Sequence, residues 1–434
     1  MKEKKSITNR VVNNSIWIIS ERLIQAAISF FIQIATINYI EPDSWGAIGY
    51  CSAFVNVFLS LSALGLEYVI IKELTAHPKE RDTIMGTALA MRLFSGLLSI
   101  VCMLLLVGFT KGFEPFYQLI AFLISLQLLF RLSDLIDFYF QSRLESKHVS
   151  IAKAITYTIV AGWKIYILVT QKSDPYFAFS YTLDALVICL ILGFMFFREA
   201  RPRLRFSYPW CRRLLHQSKH FILASMITMI YSEMDRLMLG NLCTDAEIAV
   251  YNTAYGISMV WVFLPNAIMT SYRPAIMEGH ASQTNYLERV RTLYSIIIWI
   301  GIAAGVGVML FGRWFFATFY RAEYMASVPS LYLLIWSTLF SHLAVSRSTW
   351  LVCEGLNRYS ELFPIWGVAV NLVLNALLIP PLGATGASAA TLTTQIVVTM
   401  IAPLFYKATR PSVQHMVEAF FARDLIERVK GLKR

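Results

Sequence analysis

Arg22, Arg92, Arg131, Lys164, Arg236 and Arg347 stand inside long apolar runs of the chain, and so do Glu21, Glu67, Asp134, Asp137, Asp184, Glu233 and Asp235. A charge near a bilayer centre costs from about 2.5 kcal/mol on insertion scales to far more in simulations, so each is expected to face a protein interior or a watery cavity. Two chemistries follow. Arginine binds phosphate or carboxylate bidentately through its planar fork, which suits a cationic cavity for an anionic ligand. Buried acids are natural proton or sodium sites, or partners that neutralise the cations.

Spacing sorts these residues. Side chains three or four apart share a helix face, which predicts ion pairs between Arg131 and Asp134 and between Glu233 and Arg236. Arg92, Lys164 and Arg347 have no acid at helical spacing, and Glu21 lies about 100° around the helix from Arg22. These need a partner from another helix or an anionic ligand. Arg347 and Arg236 fall near the ends of their runs, where long side chains snorkel; Arg22, Arg92 and Arg131 lie deeper. Ligand binding and structural pairing are both open for the set.

The elements that must position these residues are membrane-crossing helices. The 434 residues are 57% hydrophobic and 15% charged, whereas a soluble domain is nearer half apolar and a quarter charged. Runs of about twenty apolar residues suffice to cross a ~30 Å hydrocarbon core as helices. They fall near 15–39, 46–71, 84–108, 116–141, 150–170, 176–197, 218–240, 248–272, 292–316, 328–353, 360–379 and 384–406. The prediction is an all-α polytopic membrane protein of about twelve transmembrane helices. The first run follows a positive segment (Lys2, Lys4, Lys5, Arg10) yet is too long for a signal-peptide core, so it is expected to remain as an anchor.

The net charge of +11 is distributed by loop. Basic residues crowd alternate connections, among them Lys72, Lys79 and Arg81, then Arg143, Lys147 and Lys153, then Arg198 to Lys219, whereas the others hold only Lys111, Lys172, Arg313 and Arg321. This is the positive-inside pattern and predicts that both termini are cytoplasmic; a nucleic-acid surface would need no such alternation. The outer connections, such as Glu41 to Trp45, are too short to hold a catalytic domain. The six cysteines form no close pair, which gives neither a disulfide framework nor a metal site. No Gly-x-x-x-x-Gly-Lys-Ser/Thr, His-Glu-x-x-His or Gly-x-Ser-x-Gly stands in the chain, so neither ATP hydrolysis nor enzymatic activity is expected, and no cofactor. Energy would then come from an ion gradient or membrane potential.

The connection 198–219, Arg-rich and containing Pro202 and Pro209, reads as a cytoplasmic hinge between an N-terminal half, 1–197, and a C-terminal half, 220–406, with a basic tail at 407–434. Asp43-Ser-Trp-Gly-Ala-Ile-Gly-Tyr50 opens the second run and Glu247-Ile-Ala-Val-Tyr-Asn252 the eighth, a weak internal echo. Two pseudo-symmetric six-helix halves around a central cavity would permit rocking-type alternating access. The tail from Pro411 mixes Met416, Val417, Phe420 and Phe421 with basic residues and is expected to lie as a helix on the anionic inner leaflet.

Three stretches resemble a known family. They are Asn14 to Leu74 with Glu41-Pro-Asp-Ser-Trp-Gly46 and Leu64-Gly-Leu-Glu67; Asp235-Arg-Leu-Met-Leu-Gly240 followed by Val250-Tyr-Asn-Thr-Ala-Tyr255; and Asn371-Leu-Val-Leu-Asn-Ala-Leu-Leu-Ile-Pro380 with Gly383-Ala-Thr-Gly-Ala-Ser-Ala-Ala-Thr391. In order and spacing the chain resembles the Wzx-type polysaccharide flippases of the multidrug/oligosaccharidyl-lipid/polysaccharide exporter superfamily. The resemblance implies translocation of an undecaprenyl-pyrophosphate-linked oligosaccharide, an O-antigen or other surface-polysaccharide unit, across a bacterial inner membrane. It also implies polysaccharide polymerase and chain-length-regulating proteins as partners, and a cavity lined by the first two helices of each half. That placement favours Arg22, Glu67, Asp235, Arg236 and Arg273. A cation-coupled multidrug antiporter of the same superfamily and a membrane polymerase or glycosyltransferase are the rival readings.

Overall fold

The computed structural model describes residues 30–143, 145–282 and 284–421, and these contain helices and no strand. Glu21 and Arg22 lie outside the described residues. The chain is an all-α polytopic membrane protein: nine of its described helices are long and apolar enough to cross a membrane. It divides into two compact units, residues 1–233 and 234–434.

The first unit runs through α1 (30–39), α2 (Pro42–Ser62), α3 (Leu66–Ala76), α4 (Arg81–Lys111), α5 (Pro115–Ser125), α6 (Gln127–Phe130), α7 (Ser133–Ser142), α8 (Ser146–Thr170), α9 (Pro175–Ala200) and the start of α10 (Tyr208–Leu242). Proline opens α2, α5 and α9, where its missing N–H would have had no helical partner. Two of the expected spans are broken. The run at 46–71 divides into α2 and α3 at Gly65, whose φ of 56° suits a residue without Cβ; a Cβ there would also stand 2.7 Å from that of Phe221 on α10. The run at 116–141 divides into α5, α6 and α7, with Arg131 at the second break. Leu66, Ile70, Ile84, Met85, Tyr139, Phe140 and Phe196 form the buried core at one end of the unit.

The connection at 198–219 packs on this core. The backbone N–H of Arg203 donates to Asp82 (2.8 Å), that of Ser207 to Thr87 Oγ1 (3.0 Å), and Trp210 Nε1 to Glu80 (2.7 Å). Trp210 and Leu214 are buried in the core, and Arg213 and Gln217 both reach the buried Glu73 carboxylate, at 2.9 and 2.8 Å. The segment that reads from sequence as a hinge is therefore fastened to the first unit, and the division between units falls later, inside α10.

The second unit holds the end of α10, then α11 (Asp245–Ser258), α12 (Phe263–Ala281), α13 (Tyr286–Phe319), α14 (Ser327–Cys353), α15 (Arg358–Ile396) and α16 (Arg410–Phe420). The expected span at 248–272 is broken at Val260–Val262, as its counterpart in the first unit is. α15 contains the span expected at 360–379 and the first part of that expected at 384–406, folded at Gly383 (φ 53°, ψ −131°) after Pro380 and Pro381. Glu247 accepts the Ala384 N–H at 2.6 Å and so caps the second leg; a Cβ on residue 383 would overlap that carboxylate. α15 runs into a π-helical turn, Val397–Ile401. Of the tail, α16 turns Val413, Met416 and Ala419 against α13, where Ser295 Oγ donates to the Ala419 carbonyl, and leaves Val417 and Phe421 exposed. The hydrogen bond from Arg291 holds the Glu418 carboxyl of this helix below the usual range.

Candidate functional site

The first unit encloses a cavity of about 460 Å³ bordered by Arg131, Lys164 and Asp184, with Gln33 and Gln127 as neutral polar groups and Trp45 among its aromatics. α8 supplies Lys164, α9 supplies Asp184, and the break between α6 and α7 supplies Arg131. Among the described residues none of the three charges closes an ion pair. Lys164 Nζ lies 5.9 Å from the Tyr181 ring centre. Two donors at the cavity, Arg131 Nε and Trp45 Nε1, and the Thr36 hydroxyl are buried without a hydrogen-bond partner among the described residues. A buried donor left unpaired costs about 1–3 kcal/mol. Unpaired N–H groups beside two cations suit an acceptor-rich, negatively charged ligand.

Arg131 is available because its expected partner is taken. Asp134 pairs with Arg92 of α4 at 2.9 Å, across helices, and the pair expected at the Arg131–Asp134 spacing does not form. The physical reason is burial. Arg92 is only 3% exposed and has no solvent to fall back on, whereas Arg131 borders the cavity. Asp137 is likewise engaged, by Lys153 at 3.2 Å and Gln141 at 2.9 Å. Glu67 lies on an exposed face of α3. Glu233 is buried and accepts from Asn56 at 2.9 Å.

The second unit gathers a different site around an acid. Asp235 is 5% exposed and accepts from Tyr251 Oη (2.6 Å), Asn375 Nδ2 (2.7 Å), Asn371 Nδ2 (3.2 Å) and the Thr391 hydroxyl. Asn375 also donates to Asn371 Oδ1 at 3.0 Å, while its own Oδ1 is buried with no hydrogen-bond partner among the described residues. Asn371 and Asn375, four apart on one leg of α15, face the same acid as Thr391 on the other leg, so the fold at Gly383 assembles the site. Sequence reasoning placed Asp235 among the ion sites but missed its four partners. The signal was present in two asparagines at helical spacing within an apolar run.

Of the other cations, Arg236 stacks on the Tyr255 ring at 4.6 Å, and Arg273 lies exposed on α12. Arg347 is 2% exposed and donates to the carbonyls of Thr399 (2.8 Å) and Val398 (3.2 Å), with its guanidinium 4.5 Å from the Phe363 ring centre. Those carbonyls belong to the π-helical turn, whose widened ladder offers acceptors to a side chain.

A family model described as polysaccharide biosynthesis protein matches residues 11–280, more than half of the chain. The chain belongs to this family. Among curated relatives, the chain is 24% identical to a probable flippase, AglR, of Haloferax volcanii over 85% of this chain and 77% of that one. It is 23% identical to a probable low-salt glycan biosynthesis flippase, Agl15, of the same organism, over 43% of this chain and only 40% of the relative's length. Its fold is similar to that of the lipid II flippase MurJ in an inward closed conformation, with a TM-score of 0.74, 12% identity and coverage of 96% and 91% of the two chains. An inward-facing multidrug resistance MATE family transporter of the MOP superfamily gives a TM-score of 0.72 at 14% identity, covering 91% and 96%.

Proposed function

We propose that this chain is a flippase for a lipid-linked glycan and that the cavity of the first unit receives an anionic, oxygen-rich part of that glycan or its phosphate linkage. The observation that carries this reading is the combination of Arg131, Lys164 and unpartnered buried donors around one cavity. The named function of the relatives AglR and Agl15 supports it. Two cations to one acid favour an anionic cargo over the cationic drugs that an antiporter would take. The carrier in this reading is undecaprenyl pyrophosphate, the membrane a bacterial inner membrane, and the termini cytoplasmic, as the loop charges suggest. Asp235, buried among the donors of Tyr251, Asn371, Asn375 and Thr391 and beside the unpartnered amide oxygen of Asn375, is the coupling site in this reading: a buried carboxylate is a natural site for a proton or sodium ion.

Proteoliposomes carrying a fluorescent undecaprenyl-pyrophosphate oligosaccharide test both parts. Arg131→Ala is expected to slow translocation about tenfold or more, equivalent to ~1.4 kcal/mol, with partial recovery in Arg131→Lys. Full-rate translocation by Arg131→Ala at normal protein level would refute the cavity assignment. A sodium or proton gradient is expected to accelerate wild type and leave Asp235→Asn unaffected.

A further inference from the structure

Outside the cavity and the Asp235 cluster, the described residues hold one grouping of metal-ligand side chains: Glu145, His148 and Glu199, with a ligand atom of each within 4.8 Å of the others. Glu145 ends the connection after α7, His148 sits in the first turn of α8, and Glu199 is in the last turn of α9. The Glu145 N–H donates to the Phe140 carbonyl at 2.9 Å, and the His148 ring lies tilted against Phe140 with centres 5.4 Å apart.

Two of the three ligand groups present buried atoms that lack a hydrogen-bond partner among the described residues, His148 Nδ1 and Glu145 Oε2. Hiding such atoms is costly unless something satisfies them. Arg143 is the nearby competitor, with Nε 3.3 Å from Glu145 Oε2, but its terminal nitrogen already donates to Tyr139 Oη at 2.7 Å. That bond anchors Arg143 when Glu145 turns to another partner.

We propose that Glu145, His148 and Glu199 bind a divalent transition ion of the zinc or manganese class. Two carboxylates and a neutral imidazole supply charge −2 against the ion's +2, and a mixed nitrogen and oxygen set favours these ions over magnesium and calcium, which take oxygen. Ligand bonds of about 2.0–2.2 Å place donor atoms roughly 3.4 Å apart around a tetrahedral ion. Binding in this reading requires the three groups to draw together, and the exposed Glu199 is the one with room to move. The negative end of the α9 dipole at Glu199 is offset by the positive end of α8 at His148, so the attraction rests on the two carboxylates. The ion ties the start of α8 to the end of α9, the two helices that carry Lys164 and Asp184 into the cavity.

The test uses the full chain in detergent, purified without a histidine tag and stripped with EDTA, then titrated with zinc or manganese chloride in a calorimeter and read in parallel by thermal unfolding. Wild type is expected to take up a single ion and to unfold at higher temperature with it. Glu199→Gln and His148→Ala are each expected to weaken binding about tenfold or more and to abolish the thermal shift, whereas His77→Ala binds as wild type does. His148 packs on Phe140, so Glu199→Gln, at an exposed position, carries the test if His148→Ala does not fold. Cobalt substitution reads the imidazole directly, through the visible spectrum expected of wild type and altered in His148→Ala. No uptake by wild type at micromolar ion, or equal binding by wild type and Glu199→Gln, overturns the proposal.

Discussion

The two units treat a buried cation in opposite ways. In the first, Arg131 sits at a break in the helix, borders a cavity and makes no side-chain hydrogen bond or ion pair among the described residues. In the second, Arg347 sits in an unbroken helix and spends two nitrogens on carbonyls of a π-helical turn. Both residues look alike in sequence, an arginine in an apolar run. What separates them is the local backbone: the first unit leaves a cation facing space, and the second supplies acceptors from a distorted ladder. The acids follow the reverse pattern. Asp134 and Asp137 in the first unit are neutralised by Arg92 and Lys153, while Asp235 in the second is held by neutral donors.

The largest effect that would break this comparison is at Arg347. Removing it leaves two buried carbonyls unsatisfied, and with hydrogen bonds to a charged group contributing about 1.5–3 kcal/mol each, Arg347→Ala is expected to destabilise the protein by about 3 kcal/mol or more in thermal or denaturant unfolding. A variant of normal stability with lost transport would move Arg347 to the ligand side. Next, Asp235→Leu strands the donors of Tyr251, Asn371 and Asn375 and is expected to cost about 2–4 kcal/mol, whereas Asp235→Asn is expected to keep most stability and lose the response to an ion gradient. For Arg131→Ala the expectation is inverted: stability within about 0.5 kcal/mol of wild type, with the tenfold transport loss given above. A stability loss as large as that of Arg347→Ala would erase the distinction.

The smallest effect calibrates the others. Arg291 and Glu418 form an exposed pair at 3.0 Å, and such pairs contribute less than about 1 kcal/mol. Because the folded-state pKa of Glu418 is lowered, its contribution is present above the ordinary carboxylate range and is lost as pH falls through the lowered value. Glu418→Gln is therefore expected to remove a slight acid-side dependence of the melting temperature and to leave neutral-pH transport unchanged.

The class of fold was legible because apolar length is a direct physical requirement of the bilayer, and runs such as 292–316 and 328–353 coincide with α13 and α14. Helix breaks were harder to read. The break at Gly65 depends on close approach by Phe221, more than a hundred residues away, and no local pattern announces such a neighbour. The Arg131–Asp134 expectation failed for the same reason, since a spacing rule sees one helix and Arg92 comes from another. Around Asp235 the acid stands out by its charge, whereas the spacing of Asn371 and Asn375 is a weaker signal and Thr391 gives none, because uncharged polar residues within an apolar run do not announce their cost. The cavity joins residues from α1 to α9, a juxtaposition that only tertiary packing produces.

Arg347 also constrains how the protein is made. Its carbonyl partners lie 51 and 52 residues later in the chain, so α14 is synthesised well before the turn that satisfies it exists. Until α15 follows, that guanidinium has to stay in contact with water or lipid headgroups. The final seating of α14 therefore waits on α15 and the turn that follows it.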